Sequence, residues 1–309
     1  MSTQQYEGQA AYEGQAAPQA NWPNGIAPYS SPIPMARTHL GHALVAEWTK
    51  IRTVRSTVWT LSVMFALVVG IGLLTAGTLS GETYTGMPLL STGLFGLMLG
   101  QLGVVTLGVL VITSEYGTGM IRTTLTACPQ RGRVLLAKAL IFFGLAFVMT
   151  TLACSLTALV NSALLSDQQV PSYVEEGSFG GTVEGGTLVA SSGEWLGATI
   201  GAGLYVALLG LLSLAVGALL RHSAGAITTM MGAILLPVVV GPLMQTSEAL
   251  RDVGQKLVEY SPLNGLASLY RIPMSDDQDA TGWPLLGGLA IVTLIVLGVA
   301  YALLHKRDV

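Results

Sequence analysis

Six long stretches of this chain contain no Asp, Glu, Lys or Arg: Arg55 to Glu82, Glu82 to Glu115, Lys138 to Asp167, Glu194 to Arg221, Arg221 to Glu248 and Asp279 to Lys306. Each exceeds the ~20 residues with which an α-helix crosses ~30 Å of hydrocarbon, at ~1.5 Å per residue. A soluble helical protein would show charged faces inside such windows, and these show none. Charged residues make up only 10% of the chain and apolar ones 51%, too little charge to coat a water-facing surface. The expected fold is therefore all-α integral membrane, with six transmembrane helices at Val58–Leu79, Thr92–Ile112, Ala139–Leu164, Leu196–Leu219, Ala226–Met244 and Pro284–Leu304.

Lys and Arg set the expected orientation. Arg37, Lys50, Arg52 and Arg55 precede the first span, and Arg122, Arg131, Arg133 and Lys138 lie between the second and third. Arg221 follows the fourth, and Lys306 and Arg307 follow the sixth. The other side holds Arg251, Lys256 and Arg271 beside most of the acids, among them Asp167, Glu175, Glu176, Glu184, Glu194, Asp276, Asp277 and Asp279. The positive-inside rule puts the first set in the cytoplasm, giving an N-in, C-in topology.

Several chemistries are excluded by what the residues lack. A net charge of −3 argues against nucleic acid, whose phosphates need a basic patch. Cys128 and Cys154 form no Cys-x-x-Cys spacing and read as small apolar side chains. There is no Gly-x-x-x-x-Gly-Lys-Ser/Thr sequence for ATP hydrolysis, and no His-Glu-x-x-His or Gly-x-Ser-x-Gly centre. No catalytic residue, cofactor site or metal site is expected in this chain. The spans carry no ionisable group at mid-depth, which disfavours an ion-coupled secondary transporter. Gln101 and Asn161 are candidates for a substrate path, with interhelical hydrogen bonding as the other use. Gly77/Gly81, Gly96/Gly100 and Gly197/Gly201 have the spacing that lets helices approach closely, within one chain or between two.

Residues 1–36 read as a disordered cytoplasmic tail ahead of a six-span transmembrane unit at 37–309. The tail repeats Tyr6-Glu7-Gly8-Gln9-Ala10 as Tyr12-Glu13-Gly14-Gln15-Ala16 and has neither the basic nor the apolar region of a signal peptide. Thr38–Ser56 reads as an amphipathic surface helix. At about 100° per residue, Leu40, Leu44, Trp48 and Ile51 share one face, with His39, His42 and Lys50 opposite. Glu47 falls beside the apolar stripe, where it must either reach water or pair with a cation, Arg122 or a loop neighbour being the expected partner.

The connection Thr113–Lys138 carries more than a linker needs. Gly117 and Gly119 are expected to break the second helix, after which Met120, Ile121 and Leu125 give a short helix with an apolar side, ended before Pro129. On the other side of the membrane, Ser166–Glu194 is acidic, Gly-rich and expected to be mobile. Tyr260–Tyr270 is uncharged but half a span long, which suits a re-entrant or interfacial helix buried against the bundle. Pro237, Gly241 and Pro242 predict that the fifth span kinks or ends early.

From Ala36 to Val309 the chain resembles the transmembrane subunit of a type-2 ABC exporter. The resemblance rests on Glu47-Trp48-Thr49-Lys50-Ile51-Arg52 with Arg55, and on Glu115-Tyr116-Gly117-Thr118-Gly119-Met120-Ile121-Arg122 followed by Pro129, Arg131, Arg133 and Lys138. It implies a bacterial cytoplasmic-membrane protein that forms the translocation path as a dimer of membrane subunits. A separate ABC ATP-binding subunit would hold ATP and Mg. The resemblance further implies that Glu47, Lys50, Arg52, Glu115, Gly117, Thr118, Met120, Ile121, Arg122 and Leu125 meet that partner, the short loop helix acting as a coupling helix. Substrate is left open, since such relatives move drugs, lipids, peptides and glycans. The competing readings are a secondary transporter or channel, and a membrane scaffold or immunity protein.

Overall fold

The uncharged windows become helices, each of which runs past at least one of its expected ends. In the computed structural model, which describes residues 39–127, 130–172, 181–274 and 281–306, the order is α1 Leu40–Thr53, α2 Arg55–Leu79, α3 Gly93–Thr118, α4 Met120–Ala127 and α5 Arg131–Leu165. A hairpin of β1 Thr182–Glu184 and β2 Thr187–Val189 follows. Then come α6 Ser192–Leu196, a π-helical turn at Gly197–Gly201, α7 Ala202–Leu220, α8 Ser223–Gln245, α9 Arg251–Glu259, α10 Pro262–Leu269 and α11 Trp283–Lys306. Among the described residues six helices are long and apolar enough to cross a membrane: α2, α3, α5, the continuous Ser192–Leu220, α8 and α11. The chain is a mostly helical, multi-pass membrane protein. The tail, its repeat, Cys128 and the Glu175, Asp276 and Asp277 acids lie outside the described residues.

Burial separates central from peripheral helices. The apolar window of Ser192–Leu220 is 72% buried within the chain and that of α3 56%, against 17% for α8 and 11% for α11. With no hydrophobic drive between helices in lipid, close packing holds such a bundle together, and small residues allow it. A Cβ added at Gly108 of α3 would collide with Ser213 Oγ and the Gly210 carbonyl of α7. One added at Gly96 would lie 2.5 Å from the Val68 carbonyl of α2. The Gly96/Gly100 pair thus joins α2 to α3, and Gly197/Gly201 faces Leu269 at the end of α10. Gly77 and Gly81 face open space within this chain.

Contacts at each end of the bundle show how the helices alternate. At one end Arg221, the left-handed cap of α7, lies over the Tyr116 ring of α3 with 5.1 Å to its centroid. Arg131 at the start of α5 donates to the Leu304 carbonyl of α11 at 3.4 Å. At the other end Asn161 donates to the Leu90 carbonyl at 3.4 Å, and Thr85 donates to Gln168 at 2.9 Å.

Three expectations change. The 181–194 stretch of the segment expected to be mobile is ordered by a hairpin whose turn uses positive φ at Gly185 and Gly186. There Ser191 and Glu194 form a reciprocal capping box and Thr182 donates to Glu194 at 3.0 Å. Of the two outcomes expected for the fifth membrane helix, the early end does not occur: α8 continues through Pro237 and Pro242 to Gln245. The second continues through Gly117, and only Gly119, with φ of 73°, caps α3. Tyr260–Tyr270 does contain a short helix packed on the bundle: Ser261 caps α10, and Leu263 through Tyr270 are all buried.

Candidate functional site

The site begins with a break in the chain. Val54 adopts extended geometry between α1 and α2, so a single non-helical residue joins them and α1 leaves the axis of the first membrane helix. The face that α1 buries is centred on Glu47 and Ile51, one turn apart. Trp48, on the expected apolar face, is 47% exposed within the chain, while Glu47 beside that stripe is buried.

Glu47 Oε2 accepts from Lys138 Nζ at 2.7 Å, and Glu115 Oε1 accepts from the same Nζ at 2.8 Å. Lys50 completes the set, donating to Glu47 Oε1 at 3.1 Å and to Glu115 Oε1. Three elements therefore meet through two carboxylates and two ammoniums: α1, the end of α3 and the first turns of α5. The Lys138 side chain is 1% exposed, and those of Glu47 and Glu115 are 5% and 4%. An isolated charge so buried would cost several kcal/mol, roughly, so mutual neutralisation is the condition of its presence. Lys50 is the accessible member, with 31% of its side chain exposed. Burial alone would lower its pKa, but the hydrogen bond to Glu115 and the charge of Glu47 hold it above the usual lysine value.

Glu47 does pair with cations, as one of its two expected fates required. Among the described side chains its partners are Lys138 and Lys50; the side chains of Arg122 and Leu125 lie outside the described residues. Lys138 belongs to the connection in which the partner of Glu47 was expected, but it was not among the expected site residues. It stood at the margin of an apolar window, and α5 starts at Arg131 rather than Ala139, which carries Lys138 inside the helix. The signal available was a balance of charge: Glu47 and Glu115 both flank apolar runs and each needs a cation.

The expected partner-facing residues divide. Arg52, Gly117 and Thr118 are exposed and Met120 is 49% exposed, all at the end where α4 hangs from Gly119. Ile121, expected to be offered to a partner, is instead buried within the chain at 6%. Glu47 and Glu115 are consumed by internal pairing. Gln101 and Asn161 are both fully buried, Gln101 donating to the Met98 carbonyl at 3.2 Å and Asn161 to that of Leu90.

A cleft of about 280 Å³ opens beside the charge cluster. Its floor includes Glu47, Lys50, Glu115 and Lys138, and its walls include Leu107, Leu110 and Val111 from α3 and Met120 from α4. The chain matches no protein-family model and no curated protein.

Proposed function

We propose that the chain is the membrane-spanning subunit of an ATP-driven type-2 ABC exporter, coupled to a separate ATP-binding subunit that holds ATP and Mg. The observation that supports it best is the joint placement of α1 and α4. Gly119 hangs a short helix from the end of α3, and α1 is clamped to α3 and α5 at that end by the Glu47–Lys138–Glu115–Lys50 cluster. A partner pushing on α1 or α4 would move α3 and α5 as one unit, because separating them exposes unpaired buried charge.

In this reading the Lys/Arg-rich end faces the cytoplasm, with both termini there. The α9–α10 segment is the external re-entrant element. Exposed Met120 and Thr118, with Arg52 of α1, form the docking surface. A second copy would cover part of the sparsely buried α2, α8 or α11 faces and close a path between subunits; the open Gly77/Gly81 pair suits such an approach. One observation speaks for a secondary transporter instead: Glu115 and Lys138 lie within apolar helices. They neutralise each other near one helix end, however, leaving no single charge to load and unload a coupling ion.

Purification of the full chain from host membranes in mild detergent, with identification of stoichiometric companions, tests the proposal. A P-loop ATPase in the complex is expected; a chain recovered alone and transporting along an ion gradient would contradict it.

A further inference from the structure

A second groove adjoins the cleft at the charge cluster. Thr60 lines both. The second, also about 280 Å³, follows the seam between α2 and α3 past Val63 and Leu67 of α2 and Leu99, Gly100 and Gly103 of α3. From Thr60 to Leu67 the track extends ~10 Å along the helix axis, at ~1.5 Å per residue. Its lining changes character along the way. At one end it is charged and hydroxyl-bearing, with Lys50, Ser56 and Thr57 beside Glu115; at the other it is apolar and floored by glycine. The rim residues Trp59, Val63 and Leu99 are 70%, 51% and 52% exposed on helices apolar enough to span a membrane, so the track opens sideways.

The charged end is also incompletely satisfied. Glu115 Oε1 accepts from both lysines, but its Oε2 is buried without a hydrogen-bond partner among the described residues. Leaving an acceptor of an ionised group unmet in a dry site is costly, which is the usual mark of a missing donor.

We infer that this track holds a phospholipid with a phosphoethanolamine headgroup, drawn from the leaflet at the Lys/Arg-rich end. The ammonium donates to Glu115 Oε2, the phosphate meets the accessible Lys50 and nearby hydroxyls, and an acyl chain lies along the α2–α3 seam. Charge complementarity selects the headgroup. The two glutamates and two lysines sum to zero, so a zwitterion adds no net charge beside the buried carboxylate, whereas an anionic headgroup would. A choline headgroup carries no N–H to donate. The inference rests on the membrane reading and not on the exporter proposal.

The test uses the full chain, delipidated in detergent and titrated with dioleoyl-phosphatidylethanolamine, -phosphatidylcholine or -phosphatidylglycerol, with bound lipid read by native mass spectrometry. Ethanolamine lipid should be retained about tenfold more strongly than either other, the scale of one charge-assisted hydrogen bond. Glu115→Gln should remove that preference. Because that change also disturbs the cluster, Gly103→Leu supplies an independent variant. A Cβ there meets only Thr60 and Met64 at 3.8 and 3.9 Å, so the larger side chain enters the groove and should displace all three lipids from a monodisperse protein. Equal retention of the three lipids by the unaltered chain, or retention unchanged by Gly103→Leu, would overturn the assignment. Stronger retention of the glycerol lipid would overturn the role given to the ammonium. Disulfide-linked Val63→Cys dimers in a preparation that retains no lipid would assign the groove to a second copy instead.

Discussion

Lys138 Nζ lies 2.7 Å from Glu47 Oε2, joining the third long helix to the short helix α1 that precedes the first. Removing one partner of such a pair leaves the other charged and buried. Lys138→Met should therefore destabilise the protein by about 3–5 kcal/mol. Lys50→Met removes a partly exposed member and should cost only about 1 kcal/mol. Thermal unfolding in detergent, followed by tryptophan fluorescence, separates the two; equal losses would mean that the cluster is not organised around Lys138.

The Lys50 ammonium gives the cluster a pH dependence of definite sign. Its pKa is raised in the folded protein by Glu115 and Glu47 against the lowering effect of burial. A raised lysine contributes fully below its unfolded pKa and loses that contribution as pH climbs through the folded value. The difference in melting temperature between the unaltered chain and Lys50→Met should thus be flat from pH 7 to 9 and shrink above about 10.5, the ordinary lysine value. A difference that vanishes on acidification through pH 7 would contradict this assignment.

Glycines that look alike in sequence should respond differently to substitution. Gly108→Ala places a methyl against Ser213 and the Gly210 backbone, and should cost about 1–3 kcal/mol or more through helix separation. Gly77→Ala meets nothing within 4 Å and should be neutral or slightly stabilising, since alanine is the better helix former. Denaturant or thermal titrations of the two variants check the contrast.

Orientation can be read by thiol labelling in whole cells. Gln130→Cys lies at the Lys/Arg-rich end and should resist an impermeant maleimide. Thr83→Cys and Gln169→Cys, exposed at the opposite end, should react. Reaction of the first would invert the topology.

Helix number and class were legible because bilayer thickness imposes a length on uncharged runs, and nothing else in the chain imitates that pattern. Helix ends were not. Composition marks where hydrocarbon stops, whereas a helix continues until its backbone is broken, as at Gly119 and Val54. The same limit concealed the site. Glu47 was visibly misplaced in an apolar stripe, yet its partner Lys138 is far off in sequence, and only the crossing of α1 with α5 brings them together. Ile121 shows the converse. Its apolar character was plain, but whether it turned toward its own chain or a partner depends on how α4 folds back against the bundle.

The exporter reading stands on what docks at α1 and α4, and a photo-cross-linking residue at exposed Met120 tests this most directly. Ile121→Asp, by contrast, would bury a carboxylate and should unfold the α4 contact within the chain itself. With the cross-linker at Met120, the account predicts an adduct with a P-loop ATPase in host membranes, strengthened or weakened by nucleotide. A control cross-linker at Trp59, on the lipid-facing rim, should give none. Adducts only with lipid or with a second copy of the chain from position 120 would contradict the account.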